Sequence, residues 1–473
     1  MPISWTGLGP ELLVAIDRAA PRAVRSQLEE GLRAAIRSGR LEPGEKLPSS
    51  RELARAIGVS RGLVTECYQQ LQSEGYLHSE VGSATRVAAA AAALPPVQTP
   101  PAAKPFPMAV DFIAGVPDLA SFPGSDWLWA QREAFRQAPT HAVGYGDPAG
   151  AAELRTVLAS YVRRVRAADV DVGQVLVCSG FAQGLSLTLA ALTARRIRHV
   201  GFEDPGYDRT VETTARRAGV TAVPIPVDSR GIDVGALASS SAQAVVVSPA
   251  HQWPTGVVLA AGRRRDLVAW AAEVDGFVVE DDYDAEFRYD RDPVGSLQGL
   301  APDRVVTIGT VSKSLAPALR LGWVLSPAEL TEPITGGKRD ADRGTPTLDQ
   351  LALAHLMRSG RFDRHLRRMR TLYADRRRTL TEALAELAPQ VRLSGLAAGF
   401  HAVAHLPDRA NEAHVIGAAR DRGVGLYGMS QHRASGLTRP PQLVLGFGNL
   451  TDRAIRSGIA DIAHLLGASR PRS

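Results

Sequence analysis

Apolar positions recur with two different patterns along the chain, and the change of pattern divides it. Val24, Leu28, Leu32 and Ile36 fall every four residues, which places one apolar stripe on a helix. That stripe stops near Gly39, and the turn LEPGEKLP follows. Ser49 with Glu52 three positions on forms a capping-box pattern, in which hydroxyl and carboxylate satisfy orphan N–H groups at a helix start. Leu53 and Ile57 give this second helix its inner face, and Gly58 ends it. Ser60 opens a third helix with Leu63, Val64, Cys67, Tyr68 and Leu71 on its apolar face. After Gly75, YLHSEVGSATRV alternates around a central glycine as a β-hairpin does. Beyond residue 110 the runs are continuous instead: VLVC (175–178), HVGF (199–202), AVVVS (244–248), GFVVE (276–280) and RVVTIG (304–309). Such runs suit strands buried on both faces, so the larger part reads as an α/β domain with a mostly parallel sheet.

Between the two patterns, residues 88–109 hold six prolines and nine alanines in 22 positions. Proline fixes φ and removes donors, so the segment favours extended, semi-rigid backbone. A loop inside one domain would look similar, but the patterning on either side favours an interdomain linker. The expected organisation is therefore 1–87, a linker at 88–109, and 110–473.

Helix, helix, short turn, helix and hairpin is the order of a winged helix-turn-helix, whose third helix enters the DNA major groove. Arg61, Thr65 and Gln69 lie on that helix's polar side, and Arg51 at the start of the second helix suits a phosphate. Charge adds little, because residues 1–87 carry 11 Lys plus Arg against 10 Asp plus Glu. A small three-helix bundle for protein contacts remains the alternative on pattern alone.

Composition narrows the rest. The chain of 473 residues is 45% hydrophobic and 22% charged with a net charge of +6, which fits a globular protein and excludes a fibrous or disordered one. No apolar run approaches the roughly 20 residues that span a bilayer. The first residues lack a signal-peptide pattern, and two cysteines (Cys67 and Cys178) make neither a disulfide framework nor a zinc site. The expected location is the cytoplasm. Of 55 basic residues only four are lysines, at 46, 104, 313 and 338. Arginine does not deprotonate in proteins, so any amine chemistry falls to one of these four.

Polar clusters follow the apolar runs, where ligands bind on such sheets. CSGFAQGL (178–185) leads a strand through small residues into a helix, whose free N–H groups suit a phosphate. FEDPGYDR (202–209) carries Tyr207 and Arg209, SPAHQWPTG (248–256) is a polar-aromatic turn, and VVEDDYDAEFRY (278–289) places carboxylates past a buried strand. TIGTVSKSLAPALRLGW (307–323) holds Lys313 between two serines, with Arg320 seven residues later. Asp281 and Asp282 would serve as acid and base or as metal ligands, but no His/Cys cluster has metal spacing. A phosphate cradle, a buried aspartate, a tyrosine and a lysine together suit pyridoxal phosphate, whose aldehyde needs an amine and whose ring nitrogen needs a carboxylate. Lys46, Lys104 and Lys338 read as solvated: Lys46 in a turn, Lys104 in the linker, Lys338 in a glycine-rich loop. The run 358–378 holds nine arginines in 21 residues, but Leu366, Met369, Leu372 and Tyr373 make it an amphipathic helix with a solvated basic face.

The N-terminal segment LPSSRELARAIGVSRGLVTECYQQLQSEGYL closely resembles the DNA-binding domain of the GntR family of bacterial transcription regulators, over about 65 residues from Ala23 to Val87. The C-terminal clusters YGDPAG, EDPGY, EDDYDAEFRY and SKSLAPALRLG resemble fold-type I aminotransferases. Together they resemble the MocR subfamily, in which a winged helix is fused to an aminotransferase-like domain. The resemblance implies a ligand-responsive regulator of vitamin B6, amine or amino-acid metabolism that binds operator DNA, takes pyridoxal 5′-phosphate and forms a homodimer.

It assigns roles to residues of this chain. Arg51, Arg61 and Thr65 would contact DNA, with a wing around Gly82; Glu80 and Ala84 depart from the family's usual basic residue and glycine there. Lys313 would carry the cofactor as a Schiff base, Asp281 would pair with its ring nitrogen, Tyr283 would bond its phenolic oxygen and Tyr207 would stack on its ring. Thr310, Ser312, Arg320 and the N–H groups near Gly180 and Phe181 would hold the phosphate, Tyr145 would reach the partner subunit's cofactor, and Arg209 would bind an effector carboxylate.

Two departures bear on activity. Aminotransferases usually place Asn before the Pro-Thr-Gly turn, whereas this chain has Trp253, after His251 and Gln252. Their second carboxylate-binding arginine falls at Val444 here, with Arg433 and Arg439 as the nearest substitutes. Loss of that clamp fits an effector of another shape, or the cofactor itself as signal. The rival expectation is a working aminotransferase with an accessory N-terminal domain.

Overall fold

The computed structural model describes residues 16–18, 21–79, 84–88, 108–206, 209–284, 286–289, 294–438 and 440–467, the side chains of Arg209 and Thr210 excepted. The chain divides into two compact units, Met1–Pro105 and Phe106–Ser473. Residues 89–107 of the expected linker and Lys104 lie outside the described residues.

The N-terminal unit contains α1 (Val24–Arg37), α2 (Ser50–Ile57), α3 (Arg61–Ser73) and a short antiparallel ribbon of β1 (Leu77–His78) and β2 (Arg86–Val87). Ser49 and Glu52 make the full reciprocal capping box, Gly58 ends α2 in the left-handed conformation at φ 69°, and the Ser60 hydroxyl accepts from Leu63 N. Leu28, Leu32 and Ile36 of α1 meet Leu53 of α2 and Val64, Cys67 and Leu71 of α3 in one core. Ile57 and Leu63 lie at its edge, and Val24 is likewise only partly buried.

In the second unit an eight-stranded sheet runs β4-β11-β10-β9-β8-β5-β6-β7, with β4 (Val175–Cys178), β5 (His199–Asp204), β6 (Thr221–Asp228), β7 (Gly231–Ile232), β8 (Ala244–Val247), β9 (Phe277–Asp282), β10 (Val305–Thr310) and β11 (Gly322–Leu325). β5, β6, β8, β9 and β10 pair in parallel, while β11 lies antiparallel between β4 and β10, and β7 is an antiparallel edge. All five strands expected from apolar runs are present. Their continuity has a physical cause: Val246, Val279 and Val306 enter one core while their neighbours Val245, Val278 and Val305 enter another on the opposite face. α4 (Phe181–Ala194) and α5 (Ala328–Asp342) cover the first face, through Leu185, Leu189, Leu330 and Ile334.

A further four-stranded sheet has the order β12-β13-β16-β15, from β12 (Arg392–Ser394), β13 (His401–His405), β15 (Tyr427–Gly428) and β16 (Gln442–Gly446). β3 (Val110–Asp111) and β14 (Val424–Gly425) pair in parallel beside it. α6 (Arg361–Leu387) and α7 (Asp452–Leu466) share the core of this part. The arginines of α6 depart from the expected solvated face. Arg376 is buried with Asp118 at 2.8 Å, and Arg370 donates to Glu286 O; only Arg364, Arg367, Arg368 and Arg378 of this helix are exposed.

Candidate functional site

A pocket of about 400 Å³ opens at the C-terminal ends of β4, β9 and β10. It brings together Phe181, Asp281, Tyr283, Thr310, Ser312, Lys313 and Arg320, all expected from sequence, and adds Ala114, Gly115, Ala182, Trp253 and Pro317. A larger groove of about 540 Å³ beside Tyr161, Arg367 and Arg370 contains none of the residues expected to bind cofactor.

One end of the pocket is built for a phosphate. Gly180 precedes α4 with φ +100°, a conformation that L side chains rarely adopt, and brings no side-chain cap to the start of that helix. A Cβ there would lie 3.5 Å from Thr310 Oγ1 and 3.7 Å from an Arg320 nitrogen, so the missing side chain is itself the cradle's space. Ser312 N donates to Thr310 Oγ1 at 3.1 Å, and Arg320 donates to Ser179 O at 2.6 Å. Gly322 lets β11 close against this turn: a Cβ at that position would meet Gly309 O at 2.6 Å and Gly180 Cα at 2.7 Å.

The other end holds the amine. Lys313 Nζ donates to Gly115 O at 2.5 Å, and burial lowers its pKa against the opposing pull of Asp281 and Asp284. Asp281 is buried near the end of β9, level with Ile308 of β10. Its neighbour Asp282 faces the other way and grips Arg166 bidentately at 2.8 and 2.9 Å, because successive strand residues point to opposite faces. The two aspartates therefore do not form the acid–base or metal pair that their adjacency suggested. A buried amine, a cradle of one guanidinium, two hydroxyls and helix N–H groups, and a buried carboxylate match a phosphorylated aldehyde with a basic ring nitrogen. The residues present fit pyridoxal phosphate.

Tyr283 OH donates to His251 O at 2.9 Å and lies 3.3 Å from His251 Nδ1. His251 is buried with Nδ1 2.7 Å from Asp284 Oδ2, and its ring lies 4.6 Å from that of His401. His401 meets Trp253 edge-on at 5.0 Å, and burial holds its pKa well below the ordinary histidine value. The HQW triplet of the polar-aromatic turn is the sequence signal for this wall; the parts played by His401 and Asp284 have none. Val444 is buried with Val403 and Met429 behind Ala114. Arg433 bonds Leu437 O, Pro440 O and Gln442 Oε1, and does not line the pocket. Among the described residues, the cations lining the pocket are Lys313 and Arg320.

Tyr207, Gly82, Glu80 and Arg439 lie outside the described residues, as does the side chain of Arg209. Tyr145 is 87% exposed, away from its own chain's pocket. On the N-terminal unit Arg51, Arg61, Thr65 and Gln69 are all exposed, and Arg61 Nε donates to Ser50 Oγ at 3.3 Å across the turn between α2 and α3. Lys338 corrects its expected reading. It lies in α5 with no exposed surface, paired with Asp342 at 2.8 Å. No helix among the described residues is long and apolar enough to cross a membrane.

Comparison with known proteins agrees with both units. Residues 24–87 match the family described as bacterial regulatory proteins, gntR family, and residues 110–429 match aminotransferase class I and II. The chain is 34% identical to the uncharacterized HTH-type transcriptional regulator YhdI of Bacillus subtilis, covering 94% of this chain and 96% of that one. It is 33% identical to the HTH-type pyridoxine biosynthesis transcriptional regulator PdxR of Corynebacterium glutamicum, over 96% and 98%. Identity to the probable rhizopine catabolism regulatory protein MocR of Rhizobium meliloti is 31%, over 94% of each. Among solved structures, the Pyrococcus horikoshii kynurenine aminotransferase is similar at a TM-score of 0.69 and 25% identity, covering 76% of this chain and 91% of that one.

Proposed function

Because the chain belongs to the GntR family of bacterial transcription regulators, in the branch that carries an aminotransferase class I and II domain, we propose that it is a homodimeric, cytoplasmic regulator whose effector is pyridoxal phosphate itself. The observation that carries this reading is the pocket's charge inventory. Lys313 and Arg320 are its only cations among the described residues, and Val444, which stands where the resemblance puts the second carboxylate-binding arginine of aminotransferases, is buried in an apolar cluster with Val403 and Met429. Similarity along nearly the full chain to a regulator of pyridoxine biosynthesis supports the same effector.

Bound in the pocket, the cofactor supplies an electrophilic aldehyde and an electron-withdrawing ring. Lys313 offers an amine whose lowered pKa keeps more of it neutral and nucleophilic. Asp281 holds the ring nitrogen's proton, and Thr310, Ser312 and Arg320 take the phosphate. Among the described residues Trp253, Phe181 and Ala114 complete the lining and offer an α-carboxylate no cation. Arg51, Arg61 and Thr65 contact the operator, Arg61 and Thr65 from α3 in the major groove. Response to the effector requires that it bind two arrangements of the dimer with different affinity.

The test is titration of the gene's own upstream DNA with cofactor-free protein, then with pyridoxal phosphate, pyridoxal or amino acids added. A shift in operator affinity with pyridoxal phosphate alone is expected. Equal affinity with and without it overturns the reading, and repeated turnover of an amino acid would favour the enzyme.

A further inference from the structure

The phosphate cradle is held from behind by a second buried lysine. Lys338 Nζ donates to both carboxylate oxygens of Asp342, at 2.8 Å each. Asp342 Oδ2 also accepts from Gln183 Nε2 at 2.6 Å, and Oδ1 accepts from Gly344 N at 2.9 Å. Gln183, on the first turn of α4, turns its oxygen back to accept from Ser179 N at 2.8 Å. The carbonyl of the same residue accepts from Arg320 at 2.6 Å. Ser179 is thus gripped at its N–H by a relay that begins at Lys338 and at its C=O by the arginine of the cradle. Its position decides where Gly180 and the N–H groups that follow it point.

We propose that Lys338 is a positioning residue for phosphate recognition, acting through Asp342 and Gln183 to fix the Ser179–Gly180 turn. The inference rests on the reading of the pocket as a pyridoxal phosphate site. A fully buried ammonium costs free energy unless it is paired, so Lys338 holds Asp342 in one place. Asp342 in turn orients a glutamine amide that would otherwise be free to rotate toward solvent. The relay touches only the phosphate end of the pocket. Lys313, Asp281 and Tyr283, the residues assigned to the ring and the aldehyde, take no part in it.

The experiment compares the full-length protein with Lys338→Met and Gln183→Leu, by absorbance titration with pyridoxal phosphate and with pyridoxal, which lacks the phosphate. Both variants should bind pyridoxal phosphate about tenfold or more weakly, the size expected for loss of one oriented hydrogen bond to a charged group. Their affinity for pyridoxal should stay within about twofold of the unsubstituted protein's. Unchanged pyridoxal phosphate affinity overturns the proposal, and so does equal weakening toward both ligands, the mark of a merely structural role. Gln183→Leu alters a partly exposed side chain, so it decides the matter if Lys338→Met does not fold. Failure of the unsubstituted protein to bind pyridoxal phosphate would overturn the cofactor reading, and this inference with it.

Discussion

Lys313 was legible because lysine is scarce in this chain and its neighbours are those a phosphate needs. Lys313→Ala should abolish the visible absorbance of lysine-bound cofactor while leaving the fold intact, as read by absorption and circular dichroism. Gly336 and Gly337 suggest a loop around Lys338, yet α5 continues through both and through Pro333. Leu330 and Ile334 pack that helix into the sheet's core, and burial outweighs the poor helix propensity of those residues. Glu203 was invisible as a titrating group. It is buried at the end of β5, accepting from Ser248 N at 3.0 Å, and burial raises its pKa from 4.5 to about 8. The folded protein therefore keeps a proton that the unfolded chain has lost, so this contribution to stability is complete below about 4.5 and gone above about 8. Between those values stability should fall with rising pH by at most about 1.4 kcal/mol per unit from this group. Denaturant unfolding at several pH values should show a flatter profile for Glu203→Gln.

Capping and periodicity made the N-terminal helices readable, because those signals are local. Ser49→Ala removes one limb of the α2 capping box and should cost about 1 kcal/mol, seen as earlier unfolding of the N-terminal unit with cofactor absorbance unchanged. Arg61→Ala should weaken operator binding by about 1–3 kcal/mol and leave pyridoxal phosphate affinity alone, measured by DNA titration beside cofactor titration. Strands announced themselves as apolar runs, but their order did not. GWVL is only four residues long, and nothing local says that β11 enters the sheet antiparallel between β4 and β10. For the same reason the pairing of Asp282 with Arg166, and of His251 with Asp284, could not be read from spacing. Each pair joins segments that only the folded sheet brings together.

At the scale of the whole molecule, Leu128, Phe135, Val143 and Tyr145 are exposed apolar side chains that a second copy of this chain would cover in the proposed homodimer. Phe135→Asp should shift the protein toward monomer in sedimentation measurements and weaken its binding to a two-half-site operator more than to a single half-site. The insertion of β11 has a consequence of another kind. It brings the turn at Ser179–Gly180 against Gly322 and places Arg320 over it, so the phosphate site closes only when segments some 140 residues apart have met. A nascent or partly opened chain cannot hold the cofactor there, and the ligand stabilises only the finished fold. Scarcity of the vitamin would then shorten the protein's own life in the cell, and limited proteolysis should slow when pyridoxal phosphate is added. On the proposed reading such a regulator would report its signal twice: once through the DNA it binds, and once through how much of it survives.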